Sequence, residues 1–421
     1  MEELVYLINC PPCWIKTPPL GIEYIKQYLI KEGIDVRVID LNIIIYKLLG
    51  LAKDKWLSLD RDYEEKLLSI VKSRYPNVIQ KLIKNIEKSN LIGFSLYERN
   101  KKFALNLAQI LQKKYPKKKI VFGGPQTLFM RIHKENFLKP FKWVIGEGEK
   151  ALVNIIKGNK KDIIEHEELK DLDELPFMDF KGFDLKLYSQ FLPLVSSRGC
   201  IKMCRFCTEN LLYKSFRQHS FPYMLEQIEL LVKKHNMNNF TFQDSLINAN
   251  LDWLENFCSS LIKKNIKINW EAQAIIRNDF SQTLADLLKK SGCFNLFVGL
   301  ESGSDKILRL MNKGFTKDDA LKFFNTLKKS GLHFEVSLIF GYPHEEEEDF
   351  AETVIFIVKN KKIITKIAQV NPFVDYFLKN QRNRKEILNR VNKFINIVKK
   401  EKIPYTKGFI NNLIDRKWKL K

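Results

Sequence analysis

With 421 residues, 45% of them hydrophobic, the chain can build two or three domains with separate cores, and it has no apolar run long enough to cross a bilayer. Its formal charge is +22; fourteen Lys and Arg against Glu386, Glu401 and Asp415 put +11 of that in residues 376–421, yet lysine is abundant throughout, which favours solvated helix faces over a nucleic-acid site. Seven cysteines behind an acidic start, Met1-Glu2-Glu3, argue against a secreted disulfide framework and for reduced thiols in the cytoplasm.

In chain order, Leu4–Ile8 is a short apolar strand that ends in Cys10-Pro11-Pro12-Cys13. Thr17-Pro18-Pro19-Leu20-Gly21 opens a helix whose apolar residues Ile22, Ile25, Tyr28 and Leu29 repeat at helical spacing up to Gly33. Val36–Asp40 is the next strand, and residues 43–90 read as amphipathic helices. Three further strands follow at Leu91–Ser95, Ile120–Gly123 and from Trp143 toward Gly146-Glu147-Gly148-Glu149, with a helix at Phe103, Leu107, Ile110 and Leu111. This alternation predicts a parallel doubly wound sheet over 1–160, with ligands bound at the carboxyl ends of the strands. The loops there are Pro11–Gly21, Ser95–Asn100, Gly123–Thr127 and Gly146–Glu149. Their glycines let backbone N–H groups approach a ligand, which alone implies only something nucleotide-like. The C-x2-C of Cys10 and Cys13 admits a redox or metal role, but two prolines at a strand end fit a ligand loop at least as well.

Residues 161–187 read as a connector, acidic from Glu165 to Glu174 and turning at Pro176. Strand Tyr188–Val195 then leads into a cysteine loop. Strands at Phe240–Asp244, Ile268–Gln273, Leu296–Gly303, Glu335–Pro343 and Lys366–Asn371 alternate with helices, and six strands in all predict an open (β/α)6 barrel over 188–375. Cys258 and Cys293 fall on or beside helix patterns and read as core, and Glu345–Asp349 as a helix N-terminus. In 376–421, Ile387, Leu388, Val391, Phe394, Ile395 and Val398 make the stripe of an amphipathic helix, and Trp418 stands near the end.

The loop Ser197-Arg198-Gly199-Cys200-Ile201-Lys202-Met203-Cys204-Arg205-Phe206-Cys207 organises the rest. Its C-x3-C-x2-C spacing gathers three thiolates, which suit iron–sulfur or zinc. Structural zinc and ordinary cubane clusters both take four ligands, and no Cys or His stands at finger-like spacing behind these three; the nearest is His219. Three ligands would leave one iron open to a substrate.

The C-x3-C-x2-C loop with Phe206 before its last cysteine resembles the radical S-adenosylmethionine (SAM) enzymes. The resemblance implies that Cys200, Cys204 and Cys207 hold a [4Fe–4S] cluster whose open iron chelates SAM. Downstream, Gly299-x-Glu301-Ser302-Gly303-Ser304 with Met311-x-Lys313-Gly314 resembles the segment that contacts the amino acid and ribose of SAM. Ser337–Gly341-Tyr342-Pro343-His344-Glu345 resembles the strand that backs its adenine. Arg277, after the third strand, stands where relatives often place an arginine able to fork onto the SAM carboxylate, and Asp244 matches a strand end of the family. Phe206, Asp244, Arg277, Glu301, Ser302, Gly341 and Pro343 are therefore expected at the SAM site. For Glu301 the residue itself argues the same way, since a carboxylate at an apolar strand end needs a polar partner.

Over residues 4–156, the order "PP…TPPLG", "GFSLYERN", "VFGGPQ", "VIGEGE" resembles the cobalamin-binding domain fused before many radical SAM cores. It implies a corrinoid near Pro19, Gly21, Ser95, Gly123, Gly124, Gly146 and Glu147. The D-x-H-x-x-G motif that supplies a histidine to cobalt is absent, and His133 stands in Arg131-Ile132-His133-Lys134, so the expectation is base-off cobalamin without a protein imidazole. The resemblance implies that the cluster splits SAM to methionine and a 5′-deoxyadenosyl radical, and that cobalamin delivers a methyl group to an unactivated carbon of a small molecule or peptide. A flavodoxin or ferredoxin would donate the electron. Two rivals stand beside this C-methyltransferase. A methylthiotransferase acting on tRNA or protein needs three N-terminal cysteines where this chain offers Cys10 and Cys13; a non-enzymatic iron–sulfur redox protein would leave the SAM-type strands without a purpose.

Overall fold

The computed structural model describes residues 3–57, 59, 61–165, 168–374 and 384–406. His166 and Glu167 of the connector, and 375–383 and 407–421 of the tail with Trp418, lie outside them. The chain forms two compact units that divide near Leu192 and Pro193, with Leu230–Met237 counted with the first.

The first unit is a parallel six-stranded sheet of β1 (Leu4–Asn9), β2 (Asp35–Asp40), β3 (Leu91–Ser95), β4 (Lys119–Gly123), β5 (Lys142–Ile145) and β6 (Ile163–Glu165), in the order β2-β1-β3-β4-β5-β6. Chain order reverses at β1, so the crevice at the carboxyl ends of β1 and β3 is the place such sheets offer a ligand. The strand at 163–165 adds a sixth member, from a stretch too short to carry a period-2 signal. Aromatic rings line the core: Phe122 stacks on Phe94 at 5.3 Å and on Trp143 at 4.7 Å. Residues 41–85 form four helices, Leu41–Leu49, Lys53–Leu57, Arg61–Arg74 and Pro76–Asn85. They add the fully buried Trp56, whose indole N–H donates to the Cys13 carbonyl at 3.0 Å.

After β6 the connector is held to the first unit by charge. The buried Lys26 ammonium stands 2.7 Å from Glu23 and 2.9 Å from Asp179, and also donates to the Lys181 carbonyl. Glu23 in turn accepts the N–H groups of Asp179 and Phe180. Removing one partner of such a buried pair leaves uncompensated charge, at a cost of about 3–5 kcal/mol. Lys26→Met should therefore lower the unfolding free energy of this unit by that amount, read as a lower denaturant midpoint at unchanged slope. A loss below about 1 kcal/mol would class the pair with solvated ones.

The second unit is an open sheet in the order β14-β13-β12-β11-β10-β7. Its strands are β7 (Leu192–Leu194), β10 (Asn239–Phe242), β11 (Asn269–Ala274), β12 (Cys293–Glu301), β13 (His333–Phe340) and β14 (Lys366–Pro372), and β10 to β14 pair in parallel. The two-residue strands β8 (Ser197–Arg198) and β9 (Arg217–Gln218) form a separate antiparallel ribbon. This is the expected six-stranded partial barrel. The first strand begins at Leu192 rather than Tyr188: Tyr188 belongs to the first unit, where its hydroxyl donates to the buried Asp40 carboxylate. Rings of Phe242, Phe257 and Trp270 pack edge-on in the core, and Cys258 and Cys293 are buried as expected. Helix Glu347–Lys359 begins with a Glu346/Asp349 capping box. Helix Arg384–Lys400 buries Ile387, Val391, Phe394, Ile395 and Val398, and Phe394 meets Phe340 at 5.0 Å. Among the described residues no helix is long and apolar enough to cross a membrane.

Candidate active site

Immediately after β7 the chain turns over the end of β10. Both Asp244 oxygens accept the Ser196 N–H at 3.0 Å, and one also accepts the Ser196 and Ser197 hydroxyls at 2.6 and 2.7 Å. Asp244 is fully buried; burial pushes its carboxyl upward, against these serine hydrogen bonds. It thus anchors the entry to the cysteine loop. The β8–β9 ribbon pairs Ser197 with Gln218 and Arg198 with Arg217, closing the loop at its neck. At the neck Gly199 has φ +83°, and a Cβ there would stand 2.3 Å from the Ser215 carbonyl oxygen. Only glycine fits this crossing.

Within the loop, the Cys207 N–H donates to the Cys204 carbonyl at 3.1 Å, and the Lys202 N–H points at the Cys200 sulfur at 3.4 Å. Burial raises all three thiols, that of Cys207 to about 11. Cys204 adds to the rise at Cys200, and both add to it at Cys207, so the three share one electrostatic neighbourhood. Among the described residues no three His, Cys, Asp or Glu side chains are gathered as a single metal ion requires. The fit to a larger cluster rests on three soft ligands in one clamped loop.

The loop is tied to the segment after β12. The Arg205 N–H donates to the Met311 carbonyl at 3.1 Å, and the Asn312 side chain to the Met203 carbonyl at 2.9 Å. Phe206 packs against Ile307, Met311, Ile339 and Tyr342. At the end of β12 the register with β13 shifts between Gly299 and Glu301, and Glu301 takes φ +69°, a rare conformation for a residue with a Cβ. Its carboxylate is buried, lies 3.5 Å from the Lys313 ammonium and accepts the Ser337 hydroxyl at 3.2 Å. Burial raises its pKa, and Lys313 and Ser337 oppose that rise. Asp244, Glu301 and the cysteine loop thus all stand at the carboxyl ends of barrel strands, the face where such folds place chemistry.

Other expected SAM residues are spent differently. Arg277 forks onto Asp279 at 2.7 and 2.5 Å and donates to the Asn248 and Ala249 carbonyls, so its guanidinium already has a carboxylate. The Ser302 hydroxyl meets Thr353 at 3.1 Å and takes the Ser304 N–H. The Gly341 N–H donates to Glu345, which Arg390 pairs at 2.9 Å, and Gly341 lies against Ile387. Pro343 is exposed. Sequence reasoning gave no role to Ser196, Ser197 or Gly199, and to Lys313 only a place in the segment resembling a SAM contact. The signals available were the serine pair ahead of the cysteines, and a lysine set before the aromatic Phe315 inside a recognised segment.

In the first unit, Pro19 caps helix Leu20–Lys31, and Gly21 faces open space with nothing within 4 Å of a Cβ. A Cβ on Gly123 would meet only Val144, at 3.9 Å. Ser95 gives its carbonyl to the Asn100 side chain, and Gly124 caps helix Pro125–Ile132. Gly146 has φ +95° at the end of β5. Glu147 turns to the connector and accepts the Leu169 N–H at 2.7 Å. Cys10 is buried, and Cys13, raised by burial to about 12, accepts from the Asn100 amide at 3.2 Å. His133 is exposed at the far end of helix Pro125–Ile132.

Residues 194–357 match the radical SAM superfamily. An uncharacterized methyltransferase of Pyrococcus horikoshii is 26% identical over 81% of this chain and 73% of its own length. The bacteriochlorophyllide d C-12(1)-methyltransferase of Chlorobaculum tepidum is 27% identical over 53% of this chain, which spans 51% of that protein. Among solved structures, the cobalamin-dependent SAM radical enzyme OxsB, with aqua-cobalamin and SAM bound, superposes with a TM-score of 0.68 at 18% identity; this chain is covered over 94% of its length and OxsB over 56%. The radical SAM methyltransferase TsrM of Kitasatospora setae, with cobalamin and a [4Fe–4S] cluster, gives 0.64 at 16%, covering 88% of this chain and 75% of TsrM. This chain therefore carries a radical SAM superfamily domain over residues 194–357, within the fold of the cobalamin-dependent radical SAM enzymes.

Proposed function

We propose that the chain is a cobalamin-dependent C-methyltransferase that acts on an unactivated carbon of a small molecule or peptide. The observation that carries the reading is the clamped three-cysteine loop tied, through Met311 and Asn312, to the segment that runs from Glu301 to Lys313. Cys200, Cys204 and Cys207 would hold a [4Fe–4S] cluster with one iron open. When bound, the cluster and SAM supply a carbon-centred radical by one-electron cleavage of a sulfur–carbon bond, and the corrinoid supplies a methyl carrier.

The protein's part is to bind, orient and shield. Asp244 fixes the loop entry through Ser196 and Ser197. Phe206 covers one side of the loop with its apolar cluster. Glu301 is the buried acceptor suited to the amino group of SAM, with Ser302, Arg277, Gly341 and Pro343 on the flanking strand ends. The corrinoid would lie at the carboxyl ends of the first sheet, where Gly21 faces open space and Gly123 is constrained only by Val144, with Pro19, Ser95, Gly124, Gly146 and Glu147 around it. The same reading puts the enzyme in the cytoplasm with a flavodoxin- or ferredoxin-type donor. Against a methylthiotransferase stands the number of thiols at the N-terminal site: that reading needs three cysteines, and this chain offers the buried Cys10 and the half-buried Cys13, whose sulfur accepts from the Asn100 amide.

Anaerobic purification and reconstitution, with iron, sulfide, corrinoid and 5′-deoxyadenosine measured together, tests the proposal. Iron without corrinoid would overturn the cobalamin part, and absence of both would overturn the whole. Glu301→Gln should weaken SAM binding about tenfold to a hundredfold with the iron chromophore intact, since it loses a hydrogen bond to a charged group. Arg277→Ala should weaken it less, because Asp279 already holds that guanidinium. Unchanged affinity in both variants would return these residues to packing.

A further inference from the structure

Lys313 has so far served only as the partner of Glu301, yet its surroundings are unusual. The residue is only 4% exposed. Its ammonium has three N–H donors, and its polar partner among the described residues is Glu301, at the long distance of 3.5 Å. Two aromatic faces complete its surroundings, Phe206 at 5.6 Å and Phe315 at 5.5 Å. Phe206 belongs to the cysteine loop itself, and the backbone of Met311 and the side chain of Asn312, just before Lys313, are bonded to that loop. A positive charge kept from water against a ring of the cysteine loop is weakly screened.

We propose that Lys313 is a positioning residue that sets the reduction potential of the cluster: its buried ammonium, shared between the cysteine loop and Glu301, favours the more negative, reduced state, and Glu301 opposes it. The step concerned is the entry of one electron from a flavodoxin- or ferredoxin-type donor, with no bond made or broken. Net charge near a cluster is one of the protein's established means of tuning its potential. The proposal rests on the cluster assigned above. It goes beyond that assignment because it gives a sign to each of two side chains that supply no thiolate.

The test is a redox titration followed by electron paramagnetic resonance on reconstituted full-length wild type, Lys313→Met, Lys313→Arg and Glu301→Gln. Lys313→Met should move the potential down, Lys313→Arg should stay near wild type, and Glu301→Gln should move it up. A purely structural lysine would not give shifts of opposite sign. If Lys313→Met fails to retain iron, the upward shift of Glu301→Gln decides. An unmoved potential in Glu301→Gln, or a loaded Lys313→Met equal to wild type, overturns the role of Lys313 while leaving the cluster in place. A wild type that binds no cluster overturns the functional reading itself, and this inference with it.

Discussion

Replacing Cys204 with alanine should abolish the iron–sulfur chromophore and SAM cleavage together, with iron falling from about four atoms per chain to background. The side chain is half-buried in a loop outside the strand core, so folding should survive the change. What is lost is a thiolate, and other cysteines do not replace it. Cys258 and Cys293 are enclosed in the barrel core, where burial raises both thiols, and Cys10 and Cys13 belong to the other unit. With two thiolates left, the loop would bind the cluster through too few bonds to offset desolvation of its charge. Cys200→Ala and Cys207→Ala should behave alike, because the three thiols occupy one clamped loop between the β8–β9 ribbon and the Met311–Asn312 tether. Wild-type iron in Cys204→Ala, with an unchanged circular dichroism spectrum, would remove the cluster assignment.

The strands and the loop were legible because their signals are local. Alternating apolar runs and turns gave five of the six strands of the first sheet and the six of the barrel, and the cysteine spacing gave the loop outright. What was not legible is which partner each polar side chain takes. Asp244 reads as a candidate SAM residue, yet it is bonded to serines 47 and 48 residues earlier. Arg277 reads as a free fork, but Asp279, two residues on, has taken it. Glu147 reads as part of a glycine-rich ligand loop, whereas its carboxylate holds Leu169 of the connector. In each case residue type and strand-end position were correct clues to a polar interaction, and the partner was invisible without the fold. Lys313 is the converse: its sequence gives only a place in a segment, and its meaning comes from two rings and a carboxylate closing around it.

The two glycines at the end of β4 should separate a fold effect from a ligand effect. At Gly124, φ is +95° and a Cβ would stand 2.7 and 2.8 Å from the Leu96 backbone. Gly124→Leu therefore meets both left-handed strain, roughly 1–2 kcal/mol, and overpacking of about 1–3 kcal/mol, and should lower stability whether or not a corrinoid binds. Gly123 has no such constraint: its nearest neighbour would be Val144 at 3.9 Å. Gly123→Leu should fold normally and project a side chain into the rim proposed for the corrinoid. Corrinoid content and methyl transfer should then fall to background, while the barrel, whose site is built from its own strand ends, should still cleave SAM to 5′-deoxyadenosine. In the wild type, the cob(II)alamin signal should lack nitrogen splitting from a protein ligand, since His133 sits exposed about 12 Å along its helix from the β4 end. Histidine splitting would contradict the base-off reading. Full corrinoid content in Gly123→Leu would place the ligand away from these loops.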